Sequence, residues 1–193
     1  DLSKILHGFD IMLFPSWETL PFERISPSIE TMGKRNSVLS TLRNEPISSI
    51  IVGTARAVSQ ILTPSSSIGS MELTQGQEIN YENLLQSLID YGYQRTSQVE
   101  RRGEFAVRGS IIDIFPSTSN TPIRIDTWGD EIERLTEFSI ADQRSKEAKE
   151  RVQIFPAREL FPSAGIKNKA NKLLKTQSWG KEHWQRFANQ EFF

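Results

Sequence analysis

Apolar and polar residues alternate through the middle of the chain. This alternation predicts strands at 98–102, 105–108, 110–115, 122–128 and 131–138, because it turns one face of a strand toward a core and the other toward water. Glycines and the polar loop at 117–120 lie between these strands, where turns are needed. The segment therefore predicts a mostly antiparallel meander.

The first sixty residues have a different pattern. An apolar run at 11–14 stops at Pro15, and residues 28–42 follow with a loose helical spacing that Gly33 weakens. Residues 47–52 form a continuous β-branched run, which is typical of a strand buried on both faces, and residues 54–62 read as a short helix. Strand, helix, strand and helix in this order predict an α/β layer.

The remaining elements suggest how the chain is divided. We predict a strand at 71–73 and a helix from 80 to 91, capped by Asn80 and stopped by Gly92. The run 152–156 repeats the form of 11–15, and we interpret it as the return of the chain to the first sheet. The expected segments are 1–68, a partial α/β domain; 69–150, an inserted β-rich partner-docking domain; and 151–193, the return with a helical C-terminal segment.

Composition narrows the class of protein. The 193 residues contain no cysteine, which excludes disulfides and cysteine-ligated zinc, and agrees with a cytoplasmic protein. The 23 basic and 24 acidic residues give a net charge of −1, whereas a protein that mainly grips phosphates carries a positive excess. No apolar run is long enough for a membrane span. The first residue is not methionine, and we expect a fragment of a longer protein.

Enzymatic sites are not indicated. The Gly-Lys pairs at 33–34 and 180–181 lack the earlier glycine and the following Ser or Thr of a phosphate-binding loop. His7 and His183 are far apart and have no metal-ligand spacing around them. We therefore predict no catalytic, cofactor or metal site.

Arginines on neighbouring predicted strands are the candidate chemistry. They could form a solvated face of arginine–carboxylate pairs, which stabilises little. They could equally form a protein-docking surface, since a guanidinium group binds carboxylates with two parallel hydrogen bonds. Both interpretations stay open for Arg95, Arg101, Arg102, Arg108, Arg124 and Arg134.

Four motifs carry a family resemblance. They are Tyr93-Gln94-Arg95, the stretch 102–109 with its R-G-E-F-A-V-R-G sequence, the stretch 112–116 and Gly129-Asp130-Glu131-Ile132-Glu133. In order and spacing they resemble a domain shared by two bacterial repair families, the excinuclease component UvrB and the transcription-repair coupling factor. The segment 14–23 and the sequence 142–145 resemble the coupling factor, and residues 11–60 contain none of the tyrosines of the DNA-clamping hairpin of UvrB.

The resemblance implies a function. A coupling factor removes RNA polymerase stalled at damage on duplex DNA and recruits the excinuclease component UvrA, which binds the shared domain. The layer around this domain would be helicase-like but not catalytic, because the translocase motor of the family lies elsewhere. A DNA-gripping fragment of UvrB remains the alternative.

The resemblance also implies site residues. Arg95 and Arg108 match the partner-binding arginines of the family, while Ala106 stands where UvrB has a third basic residue. Phe105 is expected either to add an apolar contact with the partner or to lie in the core.

Two acidic residues complete the expected site. Asp113 and Glu104 are expected to orient arginines rather than to act in catalysis.

Overall fold

A computed structural model describes residues 5–20, 23, 25–44, 49–60, 62, 69–160 and 164–189. The chain divides into two compact units, Asp1–Glu23 with Pro27–Glu159, and Arg24–Ser26 with Leu160–Phe193. Its strands are β1 (Asp10–Phe14), β2 (Ser49–Gly53), β3 (Met71–Thr74), β4 (Gln94–Arg95), β5 (Glu104–Arg108), β6 (Ile111–Ile114), β7 (Ile123–Trp128), β8 (Glu131–Phe138), β9 (Ser145–Lys149) and β10 (Arg151–Ile154). Its helices are α1 (Ile29–Asn44), α2 (Ala55–Ser59), α3 (Tyr81–Asp90), α4 (Ala164–Thr176) and α5 (Lys181–Ala188).

The first layer is a parallel pair of strands. β1 and β2 run side by side from Asp10 opposite Ser49, with α1 between them in the sequence, which confirms the predicted strand–helix–strand order. The strand pair and helices α1 and α2 share a small core around Phe14 and Val38. All residues of β2 before its last are half-buried, and Gly53 is exposed, so the expectation that this strand is buried on both faces is wrong for the described layer.

Six strands form the main sheet, and they follow one another in chain order from β4 to β9. β4 joins β5 in parallel, and every later neighbour pairs antiparallel. This confirms the meander, and the predicted strands at 105–108, 110–115, 122–128 and 131–138 are correct to within one residue. The chain is thus a mixed α/β protein with mostly antiparallel sheets.

The predicted strand at 98–102 is wrong. These residues form bends and a turn before β5. One carboxylate oxygen of Glu104 accepts hydrogen bonds from the backbone N–H groups of Glu100 and Arg101, at 2.8 and 2.9 Å. A side chain therefore takes donors that a strand would have given to its neighbour.

Helix α3 covers one face of the main sheet. The Asn80 side chain caps it by accepting the Asn83 N–H at 2.9 Å, and Gly92 follows with φ of 80°, as the sequence predicted. Leu88 of this helix is fully buried. The core under α3 contains Leu84, Leu88, Tyr93, Phe105, Ile112, Ile114, Ile123, Ile125, Ile132, Leu135 and Ile154.

β10 does not return to the first sheet. It pairs antiparallel with β3, from Arg151 opposite Thr74 to Ile154 opposite Met71, so that part of the sequence interpretation is wrong. Ile154 lies in the same core as α3. An apolar run indicates that a strand is buried, but it does not specify which strand it pairs with.

Helix α1 approaches the segment after β6 very closely at Gly33. A Cβ atom built on this glycine would lie 2.5 Å from the Cβ of Ser117. Ser117 is fully buried, and its hydroxyl donates to the Phe155 carbonyl at 3.2 Å while its N–H donates to the Tyr93 hydroxyl at 3.1 Å. The glycine that weakens the helical pattern therefore allows this contact.

A buried ion pair holds α1 to the segment that follows β10. The fully buried Arg35 donates from Nε to Glu159 Oε1 at 2.7 Å, and the Trp17 indole donates to the same oxygen at 3.0 Å. Next to it, the Asn36 amide donates to the Pro156 carbonyl at 3.2 Å. The two opposite charges at this joint thus compensate each other inside the protein.

The second compact unit contains helices α4 and α5. The Trp184 and Phe187 rings lie 6.1 Å apart, which confirms that they share one helical face, and Trp179 meets Trp184 edge-on at 5.3 Å. None of the helices in the described residues is long and apolar enough to cross a membrane.

We predict that Gly33→Ala destabilises the chain, although Ala is the better helix residue by about 1 kcal/mol. The added methyl group has to displace a buried serine, and overpacking of this kind costs about 1–3 kcal/mol. Urea unfolding followed by circular dichroism measures the change. The same substitution in a Ser117→Gly background should cost less, and stabilisation in both backgrounds would contradict the packing argument.

We predict that Glu159→Gln lowers the free energy of unfolding by about 3–5 kcal/mol, because it leaves the guanidinium group of Arg35 buried without its counter-charge. Glu30→Gln is the matched control. Glu30 pairs with Lys34 and Arg102 but is 41% exposed, so its loss should cost under about 1 kcal/mol. Equal losses for the two variants in urea unfolding would show that burial does not set the cost.

Candidate partner-docking surface

Arg95 and Arg108 lie on the neighbouring strands β4 and β5 of the main sheet, with Arg95 opposite Phe105, three residues before Arg108 along β5. Arg95 is the last residue of β4 and Arg108 is the last residue of β5, immediately before the turn at Gly109. Both residues are exposed. Within the described part of the chain, neither guanidinium group makes a hydrogen bond or an ion pair.

The pleat of the sheet places the two arginines on opposite faces. Arg95 stands opposite Phe105 in the parallel register, and paired residues of neighbouring strands point to the same side. Arg108 follows Phe105 by three residues, so its side chain points to the other side. The two cations therefore flank the β4–β5 edge of the sheet instead of lying side by side on one surface.

Tyr81, at the start of α3, fixes the position of the β5–β6 turn. Its hydroxyl donates to the Gly109 carbonyl at 3.0 Å, which connects the helix to the β5–β6 turn. Burial raises the pKa of Tyr81, and the positive charge of Arg95 opposes that shift. Tyr81 thus ties the start of α3 to the turn that follows Arg108.

Phe105 lies in the core. Its relative exposure is 0%, and it packs in the cluster beneath α3. Of the two roles expected from the sequence, the structure favours the core role, because a direct contact with a partner needs an exposed ring. Phe105 is therefore not part of the candidate surface.

Two of the other arginines have structural partners. Arg124 binds both carboxylate oxygens of Asp113, at 2.7 and 2.9 Å, and these hydrogen bonds raise its pKa. Arg102 donates to the Ser119 carbonyl at 2.7 Å and pairs with Glu30 at 3.1 Å. The interpretation as structural pairs is thus correct for these two positions.

Arg101 and Arg134 are exposed, and among the described residues their side chains make no hydrogen bond or ion pair. The expectation that Asp113 orients an arginine is confirmed, because it holds Arg124. The same expectation for Glu104 is wrong, because its carboxylate binds backbone N–H groups of the preceding turn.

A cleft of about 520 Å³ lies between the start of α1 and the turn before β5. Its charged groups include Arg102, which binds Glu30, and Glu104, which binds the turn. In the described ranges, no group of three or more His, Asp or Glu side chains could hold a metal ion. Neither Arg95 nor Arg108 lines this cleft, and what these two unpaired guanidinium groups can do chemically is to bind carboxylates.

Known proteins resemble the chain over most of its length. Residues 71–160 match the model of the UvrB interaction domain. The transcription-repair-coupling factor of Mycobacterium tuberculosis is 40% identical over 187 residues, that of Bacillus subtilis 33% over 163 residues, and that of Escherichia coli 32% over 154 residues. The aligned regions cover 90%, 83% and 79% of this chain.

The same alignments cover only 15%, 14% and 13% of those relatives, so the chain spans about one seventh of their length. The relatives favour the coupling factor over UvrB, the alternative that the sequence left open. Over most of its own length the chain is thus similar to one part of the transcription-repair-coupling factors, and its residues 71–160 match the UvrB interaction domain family.

Proposed function

We propose that this chain is a non-catalytic part of a coupling factor and recruits the excinuclease component UvrA in nucleotide excision repair. The docking site is the β4–β5 edge of the main sheet, which Arg95 and Arg108 flank from opposite faces. The observation that carries the proposal is that both guanidinium groups are exposed and lack a bonded partner among the described residues, in a domain that belongs to an interaction family.

A comparison with the paired arginines of the domain supports a partner for Arg95 and Arg108. Arg102 and Arg124 show that this domain pairs arginines with carboxylates where it needs them for its own fold. Arg95 and Arg108 have no such use, and a partner that presents acidic groups would bind them with two hydrogen bonds each. Their position at the sheet edge lets one partner reach both faces at once.

The rest of the coupling factor extends the proposal. RNA polymerase and duplex DNA would be partners of the full-length protein in the cytoplasm, and the translocase motor would lie outside this chain. We also propose that residues 69–150 belong to the docking domain, which includes β10 as well, and that residues 1–68 belong to a helicase-like α/β domain. The parallel β1–β2 pair with α1 supports this division.

We predict that Arg95→Ala and Arg108→Ala each weaken binding to purified UvrA by about 1–3 kcal/mol, because each removes a charge-assisted contact. Isothermal titration calorimetry on the 193-residue chain measures the loss. Thermal unfolding should change little, since substitutions of exposed residues usually stay within about 0.5 kcal/mol.

Arg151→Ala is the matched control, because Arg151 is also an exposed strand arginine but lies on the separate β3–β10 sheet. It should bind UvrA like the unchanged chain. A duplex DNA titration at physiological salt tests the DNA-gripping alternative. Unchanged affinity of the Arg95→Ala, Arg108→Ala double variant for UvrA would refute the proposed site.

A further inference from the structure

Trp128 is an exposed aromatic residue on β7, two strands away from Arg108 of the proposed docking site. Its relative exposure is 80%, higher than that of any other large apolar residue among those described. It is the last residue of β7 and precedes the turn at Gly129, so its ring stands at the tip of the β7–β8 hairpin. Isolated apolar residues are common on protein surfaces, and the surroundings of this one decide its meaning.

The tip that carries Trp128 is firmly held. The N–H and hydroxyl groups of Thr127 both donate to the Ser110 carbonyl at 2.9 Å, which joins this hairpin to the β5–β6 turn. The Ile79 N–H donates to the Asp130 carbonyl at 2.7 Å from the segment before α3. The ring therefore projects from a fixed backbone, and binding would order little beyond the side chain itself.

The same face of the sheet carries two unpaired arginines. The register places Arg108 opposite Ile111, Ile111 opposite Asp126, and Asp126 opposite Arg134, which forms a row across four strands. Trp128 follows Asp126 by two residues and so points to the same side as this row. We call these five residues, Arg108, Ile111, Asp126, Trp128 and Arg134, the Trp128 face.

We propose that the Trp128 face is part of the surface that binds UvrA, with Trp128 as its apolar anchor and Arg134 as an additional cationic contact. This inference rests on the proposed function, and it shares Arg108 with the docking site. The partner would present an apolar pocket for the indole, basic groups opposite the carboxylates around it, and acidic groups opposite Arg108 and Arg134. Tryptophan and arginine are among the residues that most often dominate the energetics of protein interfaces.

Arg134 would also compensate for a difference in the sequence. Ala106 stands where UvrB carries a third basic residue, and the structure buries it in the cluster of Val99, Phe115 and Phe138. Arg134 lies on the same face three strands farther across the sheet and is exposed. It thus offers the third guanidinium group at a different position.

The charges around Trp128 favour a protein over a nucleic acid. Asp126 and Glu131 lie on the same face as the indole, and Asp130 lies in the turn beside it. These three carboxylates would repel phosphates, whereas a protein surface can meet cations and anions together. An aromatic side chain that stacks on bases normally lies in a positively charged groove.

Calorimetry of the 193-residue chain with purified UvrA tests the inference. Trp128→Ala should weaken binding at least about tenfold, the loss typical of an anchor residue, while Trp128→Phe retains a ring and should keep most of the affinity. Arg134→Ala should weaken binding several-fold. Ile89→Ala is the control, because Ile89 is 47% exposed near the far end of α3 and should bind normally.

The outcomes separate this inference from the proposed function. If Arg95→Ala and Arg108→Ala weaken binding while Trp128→Ala and Arg134→Ala bind like the unchanged chain, the Trp128 face is not part of the interface and the docking site stands. If the unchanged chain does not bind UvrA, the proposed function fails and takes the inference with it. Loss of duplex DNA binding by Trp128→Ala, with binding to UvrA unchanged, would also overturn the inference.

Discussion

The two-residue alternation of side chains in the main sheet sets the faces to which the arginines of the proposed docking site point. Once Phe105 points into the core beneath α3, its register partner Arg95 must share that side and Arg108 must point to the other. A shift of one residue would move Phe105 out of this core and turn Arg108 toward the side that α3 covers. The buried positions of the strand therefore determine where its charges reach solvent.

The arginines of this domain fall into two classes by their hydrogen bonds. Arg124 is held by both oxygens of Asp113, and Arg102 bridges Glu30 of α1 and the Ser119 carbonyl, so both serve the fold. Arg95 and Arg108 are exposed at the edge without such bonds among the described residues. A guanidinium group that is already bonded has few donors left for a partner. Arg95 and Arg108 therefore differ from Arg102 and Arg124 in being able to bind one.

Helix α1 connects the parallel strand pair with the interaction domain. Its buried Arg35 pairs with Glu159, its Gly33 allows contact with Ser117, and its Asn36 binds a carbonyl of the segment after β10. These contacts are buried and chemically specific, so a disturbance on one side is expected to be felt on the other. The proposed docking site needs such a rigid support if its side chains are to keep their positions.

Local patterns were enough to predict most of the elements and the family, because alternation along a strand and the order of motifs can both be read from neighbouring residues. The pairing of β10 with β3, the bends at 98–102 and the burial of Phe105 instead depend on contacts between residues far apart in the chain. The exposure of Trp128 belongs to this second group. A tryptophan at the end of a strand has the same sequence signature whether its ring is covered or bare, and only the packing of the folded chain distinguishes the two.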